Sequence, residues 1–236
     1  NNGGDGFATA KFLHSNKCKL QIYCICNLDE LSNDARYFAN QCLDMGISIQ
    51  FSCINVIDDL KYDFIIDGLL GTGVTGPVKK TLWPWIDKIN KSEGKIISID
   101  IPSGLHADIG IAQPEGVHAD YTITMGYPKI GLTMRHGPLL SGEIHIADIG
   151  FPDKALNNLK GLEWNLLQEK DISHLLKPLN VDTNKYKQGK VLIIAGSKGM
   201  TGAAALCSFG ALRVGAGLVI SAAPSSINHI YEKKMT

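Results

Sequence analysis

The stretch from residue 62 to residue 76 runs Tyr62-Asp-Phe-Ile-Ile-Asp-Gly-Leu-Leu-Gly-Thr-Gly-Val-Thr-Gly76, and it decides the fold. Its first six residues have the composition of a buried β-strand, and a glycine-rich segment follows at once. Pro77 then predicts the start of a helix, which Pro84 should kink or restart. Residues 95–100 form a second buried-type strand. A strand, a helix and a strand in this order predict a βαβ unit with parallel strands.

The same alternation continues on both sides of this unit. Ser32 is a candidate N-cap for a helix that ends at Gly46 and has a buried stripe. The stripe comprises Ala35, Phe38, Ala39, Cys42 and Leu43. Strands are predicted at residues 19–26, 47–51, 121–125 and 143–149. The last two have no helix-length segment between them and should extend one sheet edge. The pattern predicts an α/β, Rossmann-like, doubly wound three-layer sandwich with a mainly parallel sheet.

A second α/β segment begins late in the chain. We predict one domain over residues 1–152, a linker over 153–184 and the start of another domain over 185–236. The later domain opens with a strand over 191–195, a glycine loop, a helix over 203–214 and a strand from Leu218. So short a βαβ fragment cannot bury both faces of a sheet. We therefore expect the sequence to be cut at both ends.

Composition excludes several classes of partner. Lys plus Arg and Asp plus Glu number 23 each, so no basic excess predicts binding to nucleic acid or to a membrane surface. No apolar stretch reaches the length of a membrane span. The six cysteines show no zinc-binding spacing. Buried reduced thiols are the favoured interpretation, and they predict a reducing, cytoplasmic location.

The segment Gly71-Thr72-Gly73-Val74-Thr75-Gly76 matches the G-x-G-x-x-G pattern of dinucleotide-binding loops. Asp100, at the end of the next strand, could bind ribose hydroxyls in a dehydrogenase. Two features favour another site. Asp67 lies just before the loop, where dehydrogenases have a small or apolar residue. Asp100 also runs into the tight turn Ile101-Pro102-Ser103-Gly104, which a ribose-binding acid does not need.

Polar side chains follow three predicted strand ends. The glycine-rich segment Asn1 to Gly6 precedes a predicted helix, whose N-terminus would favour anions. Asp67 and Asp100 follow the other strands. Ligands collect at the carboxyl ends of parallel strands, so these oxygens should converge and require a hard cation or shared protons. The alternative is that both aspartates cap the helices after them. Lys129 either offers a charge to a phosphate or is a solvated loop residue.

Four ordered motifs carry a family resemblance over residues 1–152. They are Asn1-Asn2-Gly3-Gly4-Asp5-Gly6, Asp67-Gly68-Leu69-Leu70-Gly71-Thr72-Gly73, Asp100-Ile101-Pro102-Ser103-Gly104 and Pro128-Lys129. In this order they resemble the NAD(P)H-hydrate epimerase family. The region after Lys187, with Gly196-Ser197, Gly202-Ala203 and Ala211 to Gly217, is similar to the start of the ADP- or ATP-dependent NAD(P)H-hydrate dehydratases, which implies a ribokinase-like domain.

This resemblance implies an isomerase that interconverts the R and S forms of NADHX or NADPHX at C6 of the nicotinamide ring. In the complete protein a lyase, with ADP or ATP and with Mg²⁺ as an accompanying ion, would dehydrate the S form. The implied catalyst is Asp100, and the implied K⁺ ligands are Asn2, Asp67 and Ser103. The implied substrate contacts are Asn1, Asn2, Gly3, Gly4, Asp5, Gly71, Thr72, Gly73, Val74, Thr75, Gly76, Pro77, Asp100, Lys129 and Ala203.

The family also implies a homo-oligomer. Two other functions stay open on the sequence. One is a non-catalytic nucleotide- or RNA-binding scaffold of the same fold, and the other is the NAD-dependent dehydrogenase. The presence of Asp67, Asp100 and Ser103 together favours the enzyme over the scaffold.

Overall fold

The computed structural model describes residues 3–51, 62–152, 164–175, 178 and 180–234. The chain divides into two compact units, Asn1–Trp164 and Asn165–Thr236. The predicted linker begins within residues 153–163, which lie outside the described residues. Among the helices of the described ranges, none combines the length and the apolar character that a bilayer span requires.

The first unit alternates strands and helices as the sequence predicts. Its helices and strands are α1 (Gly4–Ser15), β1 (Ile22–Cys24), α2 (Asn33–Asp44), β2 (Ile49–Phe51), β3 (Phe64–Asp67), α3 (Trp83–Asn90), β4 (Lys95–Ile99), β5 (Tyr121–Met125), α4 (Ile130–Thr133), α5 (Gly137–Leu140) and β6 (Glu143–Ala147). Short 3₁₀ turns at Leu28–Glu30 and Lys80–Leu82 precede α2 and α3.

The strands β3 to β6 form a parallel sheet in the order β3-β4-β5-β6. Strands β1 and β2 pair in parallel as a separate two-stranded sheet. The α/β fold with a parallel sheet is therefore confirmed, and β5 and β6 extend one edge as expected. The short helices α4 and α5 lie between β5 and β6 and supply the crossover that parallel neighbours need.

Local signals set the helix ends. The Ser32 hydroxyl accepts a hydrogen bond from Ala35 N at 3.4 Å, so it caps α2 as predicted.

The predicted helix start at Pro77 is wrong, because α3 begins at Trp83. Pro84 therefore lies in the first turn, where no intrahelical acceptor is available for an N–H. The missing donor of proline costs nothing there, and this explains why Pro84 is tolerated.

Register places polar residues on one buried face of the larger sheet. Asp67 pairs with Ser98, and Ser98 pairs with Thr122 on the next strand. Thr124 lies two residues further along β5 on the same face. All four side chains are buried, in a sheet whose neighbouring positions are apolar. Buried polar groups need partners. The hydrogen bonds of Asp67, Ser98 and Thr124 define the candidate site, whereas Thr122 bonds to Ser141 outside it.

The second unit contains α6 (Glu169–Ser173), β7 (Lys190–Ile194), α7 (Gly202–Arg213), β8 (Leu218–Ala222) and α8 (Asn228–Lys234). Strands β7 and β8 pair in parallel around α7. This confirms the predicted strand, helix and strand of the late segment to within two residues at the observed ends. A ribokinase-like assignment of this unit stays a prediction, as do the domain and linker boundaries.

Candidate functional site

Asp67 ends β3 with a side chain that is only 1% exposed. Its Oδ2 accepts hydrogen bonds from Ser98 Oγ at 2.7 Å and from Ser103 N at 2.8 Å. Its Oδ1 accepts from Ser103 Oγ at 2.6 Å and from Leu69 N at 3.3 Å. The carboxylate is thus bonded to β4, to the turn after β4 and to the loop after β3.

The charge of Asp67 has no cationic partner among these four donors, which are all neutral. Burial raises the pKa of the Asp67 carboxyl, and the hydrogen bonds from Ser103 and Ser98 oppose that shift. A buried carboxylate without a counter-charge is unfavourable. The position is therefore one that a small cation would stabilise.

The turn after β4 brings Ser103 to Asp67. The turn begins at Asp100, whose φ of 66° lies in the left-handed region, and Asp100 N donates to Ile123 O at 2.8 Å. Gly104 has a φ of 95°, and a Cβ there would approach Glu115 O to 2.9 Å. Glycine is required at this point because the conformation and the space both exclude a side chain. Asp100 tolerates its conformation better than most residues do.

Asp100 forms a second cluster with residues of and after β5. Its Oδ1 accepts from Met125 N at 2.9 Å and from Thr124 Oγ1 at 3.3 Å. Lys129 Nζ forms an ion pair with the same oxygen. The side chains of Asp100 and Lys129 are each 20% exposed, so both remain accessible to a ligand.

The ammonium of Lys129 has three hydrogens and three acceptors. They are Asp100 Oδ1, Thr124 Oγ1 at 3.1 Å and Met125 O at 3.0 Å. Every hydrogen bond that the described residues make to the Asp100 carboxylate goes to Oδ1. Oδ2 is therefore the oxygen through which this carboxylate can meet a substrate proton.

Glycines of the loop after β3 are not required by the fold. A Cβ added at Gly71, Gly73 or Gly76 meets no atom within 4 Å in the described part of the chain, and none of the three has the left-handed φ that favours glycine. Most of the loop is exposed. Glycines without a conformational reason are expected where a ligand approaches the backbone closely. This observation fits the predicted ligand role of residues 71–77.

The first turn of α1 lies against the loop after β3. A Cβ at Gly68 would lie 3.5 Å from Gly6 Cα. This turn contains Gly4 and Asp5, and Gly3 is the residue immediately before it. Asn1 and Asn2 lie outside the described residues, so their proposed contacts with substrate and cation stay predictions.

The structure thus joins Asp67 to Ser103 and Asp100 to Lys129, at the ends of neighbouring strands. Ala203 lies in the second unit, at the start of α7. Two buried partners were missed by sequence reasoning, Ser98 and Thr124. Each is a small polar residue at a buried position of an otherwise apolar strand. That pattern was the signal by which they could have been found.

The oxygen atoms around Asp67 that could coordinate a metal ion suit an alkali metal better than a transition metal. Within the described ranges, no group of three or more His, Cys, Asp or Glu is placed to hold a metal ion. The available donors are one carboxylate, the Ser103 hydroxyl and the Leu70 carbonyl, which lies 3.4 Å from that hydroxyl. Such hard oxygen donors select hard cations.

Comparison with known proteins identifies relatives of the chain. The model of the family described as YjeF-related protein N-terminus matches residues 1–131. Proteins named bifunctional NAD(P)H-hydrate repair enzyme Nnr are similar over nearly the whole chain. The Dictyoglomus turgidum protein is 34% identical over 98% of this chain and 45% of its own length. The Thermofilum pendens protein is 32% identical over 92% of this chain and 41% of its own length.

The Escherichia coli protein of the same name is 31% identical over 93% of this chain and 42% of its own length. The chain therefore spans less than half the length of these relatives. Among solved structures, a crystal structure of yeast ynu0, YNL200c, superposes with a TM-score of 0.57. It is 17% identical and covers 71% of this chain and 70% of its own. That likeness supports the α/β fold.

Proposed function

Because this chain belongs to the YjeF-related protein N-terminus family, we propose that its first unit is an NAD(P)H-hydrate epimerase. The substrate would be NADH or NADPH hydrated at C6 of the nicotinamide ring, and the reaction would interconvert the R and S forms. The names of the relatives support this proposal, since each is called a bifunctional NAD(P)H-hydrate repair enzyme.

One observation carries the proposal: the described residues hold the Asp100 carboxylate through Oδ1 and make no hydrogen bond to Oδ2, and the side chain is 20% exposed. Inversion at C6 requires the hydroxyl to leave and return on the other face, or the ring to open and close. Either route needs a group that gives a proton and takes it back near the hydroxyl. A positioned carboxylate contributes roughly 10²- to 10⁴-fold to such a step.

A potassium ion fits the site beside Asp67. Asp67 and Ser103 would hold it, together with Asn2. The observation that supports this fit is a buried carboxylate whose four protein donors are all neutral. When bound, the ion would supply positive charge that offsets the Asp67 carboxylate and favours an anionic substrate. Ser98 of β4 would orient the Asp67 carboxylate through its hydrogen bond to Oδ2.

The dinucleotide would bind along the two glycine-rich segments. These segments are residues 1–5 and 71–77, the second of which lacks any packing reason for its glycines. Lys129 would line the nicotinamide end beside Asp100. These residues follow the carboxyl ends of β4 and β5, and ligands bind at the carboxyl ends of strands in open parallel sheets.

The second unit would belong to a nucleotide-dependent NAD(P)H-hydrate dehydratase, with ADP or ATP as co-substrate and Mg²⁺ as an accompanying ion. Ala203 would contact substrate in the complete protein. We also propose a homo-oligomer in a reducing, cytoplasmic compartment. The free thiols of the described residues support the compartment, although only Cys24 and Cys42 are buried as predicted, and Cys18 and Cys207 are exposed. Burial raises the pKa of Cys26 to about 11, which keeps that thiol protonated and unreactive.

The dehydrogenase alternative is less consistent with the site. A ribose-binding acid needs free carboxylate oxygens for two hydroxyls. Here one oxygen of Asp100 is bonded to Lys129, Thr124 and Met125. The scaffold alternative gives no reason for a buried carboxylate beside Ser98 and Ser103.

The test is direct. The protein in its full natural length is incubated with purified (R)-NADHX in potassium buffer, and the S form is followed by chromatography. We expect epimerisation faster than the spontaneous rate, and slower catalysis when tetramethylammonium replaces potassium. A rate equal to the spontaneous one would reject the function. An unchanged rate without potassium would reject the proposed potassium site and leave the proposed epimerase function in place.

A further inference from the structure

Thr124 connects the two charged groups of the candidate site. It is a fully buried residue of β5, and its hydroxyl accepts a hydrogen bond from Lys129 Nζ at 3.1 Å. A hydroxyl has one proton to donate, and the acceptor in reach is Asp100 Oδ1 at 3.3 Å. The hydrogen bonds therefore run in one direction, from Lys129 through Thr124 to Asp100.

This contact matters because Met125 N alone would hold Oδ1 and leave the carboxylate free to turn about that one hydrogen bond. Three groups donate to Oδ1. One is the backbone N–H of Met125, one is the hydroxyl of the strand residue Thr124, and one is the ammonium of the loop residue Lys129. Lys129 alone sits on a flexible stem, and it could follow the carboxylate through a rotation. The Thr124 hydroxyl cannot do so, because its β-branched side chain has few rotamers and is packed within the sheet.

We propose that Thr124 is a positioning residue of the epimerase reaction, and that it fixes Asp100 so that Oδ2 faces the substrate. The inference rests on the proposed function. Thr124 itself is fully buried, so we place it behind Asp100 and not in contact with a ligand. Its hydroxyl acts through the carboxylate by holding one oxygen and thereby aiming the other.

The chain contains a matched control. Thr122 is on the same strand, on the same face, and is equally buried. Its hydroxyl donates to Ser141 O at 2.7 Å, on the side away from Asp100. Replacing either threonine by valine removes one buried hydroxyl from β5 and keeps the shape of the side chain. Only Thr124→Val also removes a contact with Asp100.

The experiment measures kcat and KM for (R)-NADHX epimerisation in Thr124→Val, Thr124→Ser and Thr122→Val. We expect Thr124→Val to lower kcat roughly 10- to 100-fold with KM changed less than about threefold, because misorientation of a catalytic group affects the reaction more than binding. Thr124→Ser keeps the hydroxyl and should restore kcat to within about threefold. Thr122→Val should keep the kcat of the unmodified protein.

Equal kcat values for Thr124→Val and Thr122→Val would overturn the inference while leaving the epimerase function intact. Lack of turnover in the unmodified protein would instead reject the function. A crystal structure of Thr124→Val supplies a readout that does not need activity. We expect the Asp100 carboxylate to adopt more than one rotamer there and a single one in Thr124→Ser. A single, unchanged rotamer in Thr124→Val would overturn the inference as well.

Discussion

Ser103 Oγ lies 2.6 Å from Asp67 Oδ1, although 36 positions separate the two residues in the sequence. The same hydroxyl accepts a hydrogen bond from Leu70 N at 2.8 Å. One serine therefore joins the end of β3, the loop after it and the turn after β4. The contact holds the two strand ends in the relative position that the candidate site requires.

Replacing Ser103 by alanine should destabilise the protein. The change removes the shortest hydrogen bond to the Asp67 carboxylate and leaves Leu70 N without that acceptor. We expect a loss of about 2–3 kcal/mol in the free energy of unfolding, measured by urea denaturation. Ser15→Ala is the control, since Ser15 is exposed and its hydroxyl donates to Lys11 O, one turn earlier in the same helix, at 3.0 Å. It should change stability by less than about 0.5 kcal/mol. Similar small losses in both variants would contradict the structural role of Ser103.

Asp100→Asn should separate catalysis from backbone conformation. Asparagine tolerates the left-handed conformation at this position but cannot exchange a proton as a carboxyl group does. We expect epimerase kcat to fall roughly 10²- to 10⁴-fold, with the midpoint of thermal unfolding nearly unchanged. Asp100→Ala should lose the same activity and also about 1–2 kcal/mol of stability. An active Asp100→Asn variant would remove Asp100 from the proposed mechanism.

Gly73→Ala should weaken substrate binding without weakening the fold. A Cβ at Gly73 meets no atom of the described residues within 4 Å, so the added methyl group is expected to contact a bound ligand. We expect an increase in KM of roughly tenfold or more, and stability unchanged or raised by about 0.4–1 kcal/mol through the unfolded chain. Gly46→Ala is the opposite control: its surroundings are also open but its φ is 76°, so it should lose about 1 kcal/mol and keep its KM. An unchanged KM for Gly73→Ala would count against a ligand at this loop.

Asp120→Asn should reduce stability in a pH-dependent way. Asp120 accepts from Ile96 N at 2.9 Å and pairs with Lys95 at 2.5 Å, and these contacts lower the pKa of its carboxyl, with Lys95 the larger cause. A lowered folded-state pKa stabilises the fold above the ordinary aspartate pKa of about 3.9. This stabilisation is lost as pH falls through the lowered value.

We therefore expect Asp120→Asn to lose about 1 kcal/mol at pH 7, after allowance for solvent screening, and to match the unmodified protein near pH 2. Urea denaturation across this range measures the difference. Asp87→Asn is the control, because Asp87 forms an exposed pair with Lys91 at 2.8 Å along α3. That variant should differ by less than about 0.5 kcal/mol. A pH-independent loss in Asp120→Asn would show that its charge is not responsible.

Strand positions could be predicted from the sequence because apolar runs report burial. Residues 121–125 are a strand with the predicted bounds. Helix starts were harder to predict. Pro77 carried a start signal, but the chain makes a 3₁₀ turn before Pro84 and begins the helix at Trp83. Leu43 fitted the predicted buried stripe of α2 but is 40% exposed. Helical periodicity defines a face and does not show how much of it a neighbour covers.

The site was predictable only where residues carry unusual chemistry in a recognisable order. Asp67, Ser103 and Asp100 could be assigned to one sheet edge because they follow strands. The partners of Asp100 depend on which strands are adjacent and in what register, and a single sequence does not contain that information. Thr124 faces Asp100 because β5 pairs with β4 in parallel. An ordinary threonine in a strand gives no sign of such a contact.

Position 100 illustrates how conformation restricts substitution. Its left-handed backbone admits glycine, asparagine and aspartate with little strain, and β-branched residues poorly. A library selected only for folding should therefore yield those three residues there, and one selected for turnover should yield aspartate alone. Loss of the carboxylate would then leave an intact ligand-binding scaffold, so related chains that bind without reacting could arise by a single substitution.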